Sequence, residues 1–271
     1  MNSATHMYPQ ELVETCDLGR LPSGPRVLSQ LISAVRQPDA EIEAIAELFR
    51  ADPALTARVV AACNSPVYSR GGATADIREA IMHLGMQEVT RIVQVVMLTD
   101  FKKHPTHLYT QAADYYWERS LHTALVMDQI SGRDPSAYTA GIMHLVGVWV
   151  LCSVFPYRHL TINERELKLQ MQLEELRLGV GFARAGSKAM DRWGFETEIC
   201  AAVLWQLAPT ACEVPGQREL SELLYRAVAI VDWHYGVRNE HTLIASDLTI
   251  NDLEDCNRCA VEQVAKIAFG G

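Results

Sequence analysis

The sequence predicts an all-α protein of two packed helical lobes, 18–103 and 104–271, and three observations carry that expectation. Apolar residues recur three and four positions apart in segment after segment, and the first lobe shows no alternating strand pattern. Helix starts are marked repeatedly by an acid beside a proline, at Pro38-Asp39, Asp52-Pro53 and Asp134-Pro135. The third observation is the stretch Tyr138–Phe155, nearly all apolar, with His144 its only ionisable side chain apart from Tyr138 and Cys152. It sits at the lower edge of the roughly 17–25 apolar residues that span a bilayer. It has no second run like it and no basic flank, so it reads as one core helix buried on all sides in a soluble bundle.

In the first lobe, Val27, Leu28, Leu31, Ile32 and Val35 mark the inner face of a first helix. Asp39 is the expected cap of a second, whose inner face is Ile42, Ile45, Ala46, Leu48 and Phe49. Asp52 caps the helix 54–63, which ends at Asn64-Ser65-Pro66, and Gly71-Gly72 makes a turn. Asp76 caps 77–84, Gly85 stops it, and 86–98 forms a fifth amphipathic helix. The second lobe reads as a long helix over 108–130, the core run, and a charged amphipathic helix over 163–178 ended by Gly179 and Gly181. Helices follow from 182 to Trp193-Gly194, over 196–207, over 217–235 and over 247–269.

Charge and cysteine usage narrow the function. Lys plus Arg number 24 against 33 Asp plus Glu, a net charge of −9 with no basic run, so nucleic acid is a disfavoured partner. The start of the chain has no charged segment leading into an apolar one, and no membrane partner is expected. Seven cysteines, an odd number lying mostly in apolar helical segments, fit reduced thiols and a cytoplasmic location. Cys256 and Cys259 form a lone C-x-x-C, a weak metal signal better read as two thiols on one helix face. There is no G-x-S-x-G, no phosphate-cradling glycine loop and no His-Glu-x-x-His.

The successive runs L-P-S-G-P-R-V-L-S-Q-L, P-D-A-E-I-E-A-I-A-E-L, D-P-A-L-T-A-R-V-V-A-A-C-N-S-P-V-Y and I-R-E-A-I-M-H-L-G-M-Q-E-V span Leu21 to Val89. In that order they resemble the HDOD family, bacterial signalling domains related to HD-type metal-dependent phosphohydrolases. The resemblance implies a second lobe shaped like an HD helical bundle. It also implies a metal-ligand set of His and Asp, which this chain has largely lost. W-E-R-S-L-H-T-A has Arg119 where the first His is expected. The His-Asp pair falls on His144-Leu145, L-G-V-G-F-A-R-A-G puts Phe182 at a later His, and further histidines become the stretch around Trp205-Gln206. One imidazole cannot usefully hold a divalent ion, and His122 as a displaced second ligand would still leave no placed carboxylate. Neither a metal nor another cofactor is expected.

The function implied by the resemblance is non-catalytic: a bacterial signalling or regulatory module acting through a protein partner, with homo-oligomerisation left open. Asn64, Tyr68 and Arg70 are the partner-binding candidates, a polar and aromatic cluster where the lobes meet, although Arg58, Asn64 and Tyr68 equally suit interhelical hydrogen bonding. One rival is a nucleotide or anion sensor using a vestigial pocket of Arg119, His122, His144, Phe182 and Trp205, with the guanidinium suited to phosphate. The other is a phosphohydrolase with a rearranged metal site. For His144 the plainer expectation is a neutral core histidine bonded to a backbone carbonyl or a hydroxyl.

Overall fold

Helix signals in the sequence become helices whose ends are closed by the residues placed there. The computed structural model describes residues 25–35, 41–50, 52–66, 68, 74–155 and 162–237. The first lobe contributes α1 (Pro25–Val35), α2 (Ile42–Arg50), α3 (Pro53–Cys63), α4 (Ile77–Leu84) and α5 (Met86–Lys102). The second contributes α6 (Ala113–Ile130), α7 (Pro135–Met143), α8 (Val146–Val154), α9 (Leu167–Leu178), α10 (Phe182–Arg192), α11 (Thr197–Trp205) and α12 (Pro215–His234). Among the described residues the only strand-like pairing is one bridge between Tyr109 and Ile162, so the fold is all-α.

Three aspartates do what their positions predict. The carboxylates of Asp52, Asp76 and Asp134 accept from the backbone N–H of Leu55, Glu79 and Ser136 at 2.9, 2.9 and 2.8 Å. Each satisfies a donor that the first turn leaves open, an effect worth about 1 kcal/mol. Gly85 and Gly179 end α4 and α9 with φ of 85° and 75°, a conformation that disfavours any side chain. The Asp39 cap, Arg70, the Gly71-Gly72 turn, Cys256, Cys259 and the helix expected over 247–269 lie outside the described residues.

Two helix starts move by four residues or more. The helix expected from Leu108 begins at Ala113, because the backbone before it pairs sideways: Ile162 N–H donates to Leu108 at 2.7 Å and Thr110 N–H to Ile162 at 3.0 Å. The helix expected from Asn163 correspondingly begins at Leu167.

The larger correction concerns the core run, which is two helices rather than one. It breaks at His144–Leu145, where Leu145 has φ −102° and ψ 5°, outside the helical well, and Val148 N–H closes a tighter turn onto Leu145 at 3.0 Å. By length and composition Pro135–Val154 could cross a membrane, but 89% of its apolar window is buried inside the fold.

One apolar cluster runs through both lobes. Helix α5 is the partition, packing on α1, α3 and α4 on one side and on α6 and α7 on the other. Polar ties cross it: Gln94 Nε2 donates to Thr139 Oγ1 at 2.8 Å, and Arg91 pairs with Asp128 while its guanidinium lies 5.2 Å from the Tyr138 ring centroid. Helix α8 crosses α10 backbone to backbone at Gly147. A Cβ there would run into the Phe182 carbonyl and come within 2.8 Å of Gly186 N, so glycine is what permits the crossing. This contact sets α10 against the α7–α8 break, where the candidate centre lies.

Candidate functional site

The candidate centre is assembled by α6, the α7–α8 junction, α10, the end of α11 and α12. Arg119, on α6, is 1% exposed. Its guanidinium makes an ion pair with Asp232 of α12, itself 1% exposed, and donates to Tyr115 Oη at 3.0 Å. The rings of Tyr115 and Tyr235 flank it at 5.5 and 5.6 Å. Burial works against both charges. For the guanidinium, Asp232 and Tyr115 together more than offset the desolvation, so its pKa lies above its ordinary value, while desolvation of the Asp232 carboxyl outweighs the pull of Arg119. The charge expected to receive an anion is therefore already matched inside the protein.

His144 is fully buried. Its Nδ1 lies 2.6 Å from the Gly141 carbonyl, which can only accept, so Nδ1 carries the proton and Nε2 keeps its lone pair. Burial first, with Arg119 adding to it, lowers its pKa to about 3, so the imidazole is neutral. Gln206 Nε2 donates to the His144 carbonyl at 3.0 Å and to Val203 O at 2.7 Å, fastening α11 to the helix break. The tautomer would suit a metal ligand, but the donor set does not fit a metal. Leu145 and Phe182 are buried apolar groups, the nearest placed cation is Arg119, and Asp232 is committed to it. Among the described residues no group of three or more His, Cys, Asp or Glu could hold an ion.

The remaining pocket candidates divide. Phe182 is fully buried at the start of α10, and Trp205 is half-buried at the end of α11, beside Gln206. His122 is turned toward α12, its ring centroid 5.0 Å from that of His234 and 6.0 Å from that of Tyr235. His107, in the loop before α6, is half-buried with Nε2 2.9 Å from the Phe155 carbonyl.

A second buried polar group lies beside the first. Glu174 of α9 is fully buried and accepts from Phe182 N–H at 2.6 Å, Tyr109 Oη at 2.8 Å and Gln170 Nε2 at 2.9 Å. The carboxyl thus caps α10 and holds α9 to the loop before α6. Desolvation raises its pKa from 4.5 to about 7 against the pull of those three donors. A folded-state pKa above the unfolded one means the native state binds the extra proton, so this group's contribution falls as pH rises from about 4.5 to 7. The loss is on the order of 3 kcal/mol across that window. His144 slopes the other way, its contribution being lost as pH falls from 6.5 toward 3. Because Glu174→Gln leaves His144 in place, the stability difference between variant and wild type isolates Glu174. In urea unfolding from pH 4.5 to 7.5, wild type should lose ground steadily to the variant, and a constant difference would contradict this assignment.

The partner candidates sit in the first lobe. Asn64 clamps its chain segment: Thr74 N–H donates to Asn64 Oδ1 at 2.7 Å, and Asn64 Nδ2 donates to the Thr74 carbonyl at 2.8 Å. Tyr68 is half-buried and packs on the core, with a phenol pKa raised by burial and then by Glu88 and Cys63. Arg58 pairs with Asp100 of α5. Next to Asn64, α2, α3 and α4 enclose a groove of about 810 Å³ walled by Phe49, Ala57, Val60 and Ile77.

The HDOD domain profile matches residues 21–209 of the sequence. The chain belongs to the HDOD family. The fold is that of solved relatives: an HDOD domain protein of unknown function from Geobacter sulfurreducens superposes with a TM-score of 0.66 at 21% identity, over 97% of this chain and 98% of that one. A protein from Marinobacter aquaeolei VT8, provisionally named a signal transduction protein, gives 0.68 at 20% over 98% of this chain and 61% of that one. One from Shewanella amazonensis SB2B, provisionally named a phosphohydrolase, gives 0.63 at 20% over 98% and 96%. An uncharacterized protein of Treponema pallidum (strain Nichols) is 23% identical over 191 residues, which make up 66% of this chain and 36% of its own length. The match thus spans about a third of that relative.

In this HDOD protein, sequence reasoning missed Asp232 and Glu174. Asp232 had a signal, a lone acid in the apolar row A-V-A-I-V-D-W. Glu174 shares an inward face with Leu167, Gln170 and Leu178, but α9 carries leucines on its other face too, which hides the direction of burial.

Proposed function

We propose that this HDOD protein is a non-catalytic signalling module that acts by binding a protein partner, and that the groove between α2, α3 and α4 receives it. The observation that carries this reading is a contrast. The centre that would hold metal or phosphate is occupied by the protein's own Arg119–Asp232 pair, while about 810 Å³ of largely apolar groove lies open in the other lobe. Arg78 pairs with Glu43 at the rim, and Arg50 pairs with Glu47, so the groove offers little unmatched charge and favours an apolar segment. Ala57 and Ala61 are exposed on this wall, so arginines there fill the groove without disturbing the core. A protein captured specifically from the native host should be lost with Ala57→Arg/Ala61→Arg, and the circular dichroism of the variant should be unchanged. Capture that survives the change removes the groove from the proposal. Turnover of a cyclic dinucleotide or a phosphomonoester with manganese, abolished by His144→Ala, would overturn the non-catalytic reading.

A further inference from the structure

Helix α9 is built unlike the others. Its inward face carries Leu167, Gln170, Glu174 and Leu178, all buried, and so spends two of four positions on polar groups. Its outward face carries Leu169 and Leu176, 43% and 81% exposed, flanked by Leu173, which is half-buried and also packs on the core. These leucines fall at i, i+4 and i+7, one stripe on a helix surface. Alongside the stripe lie Lys168 and Glu175, also seven residues apart and therefore on one edge, both exposed. Neither forms an ion pair among the described residues. Among the other helices it packs chiefly on α10.

From this pattern we infer that α9 is a self-association surface, pairing antiparallel with α9 of a second copy of this chain. The charges select this occupant. A stripe with a cation toward one end and an anion the same distance toward the other is complementary to itself when reversed. A two-fold axis passing between Met171 and Gln172 sets Lys168 of each copy opposite Glu175 of the other. The same register places Leu169 of one copy between Leu173 and Leu176 of its partner, so apolar layers and ion pairs fall into place together. A two-fold interface uses one patch twice and needs such self-complementarity. This inference stands independently of the groove proposed above, which lies in the other lobe.

The test is sedimentation equilibrium of the full chain, at concentrations up to tens of micromolar, with charge-swapped variants. Wild type should sediment at twice the 30.2 kDa mass of one chain. Lys168→Glu alone and Glu175→Lys alone each turn two attractions into two repulsions and should weaken the dimer about tenfold or more. The double variant Lys168→Glu/Glu175→Lys restores both pairs and should recover the dimer. So should an equimolar mixture of the two single variants, as a heterodimer. Leu176→Asp should give monomer at all concentrations with the circular dichroism of wild type. A wild-type monomer overturns the proposal, whether the stripe is bare or covered by another segment of the same chain. A dimer indifferent to these changes overturns it equally, by placing the contact on another surface.

Discussion

Leu145→Asp should unfold this protein, and added manganese should not restore it. Leu145 is fully buried in the break between α7 and α8, with His144 before it and the apolar α8 after it. Truncating a buried leucine costs about 2–5 kcal/mol even when nothing polar replaces it. A carboxyl in the same place adds a desolvation cost, raises its own pKa and can be met only in part by His144 Nε2. The sum is comparable with the whole stability of an ordinary domain, about 5–15 kcal/mol. The variant should be insoluble, or should melt at least about 10 °C below wild type. Melting curves with and without manganese check it. A folded Leu145→Asp protein that gains stability from the metal would mean that a His-Asp ligand pair had been restored, and the non-catalytic reading would fall with it.

Asp232→Ala should be nearly as damaging, by a different route. Arg119 cannot lose its proton, so removing its partner leaves a buried positive charge with only Tyr115 Oη and two aromatic faces to meet it. Breaking a buried pair in this way costs about 3–5 kcal/mol. Removing both charges should cost much less, because well-packed apolar replacements of similar volume often match a buried pair. Arg119→Met/Asp232→Leu should therefore recover most of what Asp232→Ala loses. Urea unfolding of wild type, Arg119→Met, Asp232→Leu and the double variant gives the coupling directly. A loss below about 1 kcal/mol for Asp232→Ala would mean that water reaches the guanidinium, and with it that an anion could. The same experiment therefore separates a sealed centre from a sensor pocket.

Much of the fold was legible in the sequence, because helix ends are local. Asp52, Asp76 and Asp134 cap the helices they precede, and Gly85 and Gly179 end theirs, through bonds and backbone angles within a few residues. The burial of Tyr138–Phe155 was legible for a similar reason, since a nearly charge-free run has few other places to go. The break inside it was not. Both halves are apolar, so periodicity carries no mark of the interruption, and the turn at Leu145 is held by the packing around it. Nor did the spacing over 108–130 disclose that the backbone at Leu108–Thr110 turns aside, before α6, to pair with Ile162.

The candidate centre divides along the same line. Sequence alone determined which residue types stand at its positions, Arg119, His144, Leu145 and Phe182, and the family resemblance implied that a His/Asp ligand set is largely lost there. Only the tertiary structure decided what those residues do. Asp232, 113 positions from Arg119, answers the guanidinium, and Glu174 crosses from α9 to cap α10 at Phe182. The Gly141 carbonyl sets the tautomer of His144. The physical reason is range. Caps and periodicity act between neighbours along the chain, whereas the charge state of a buried group depends on which distant partners the fold brings within hydrogen-bonding reach.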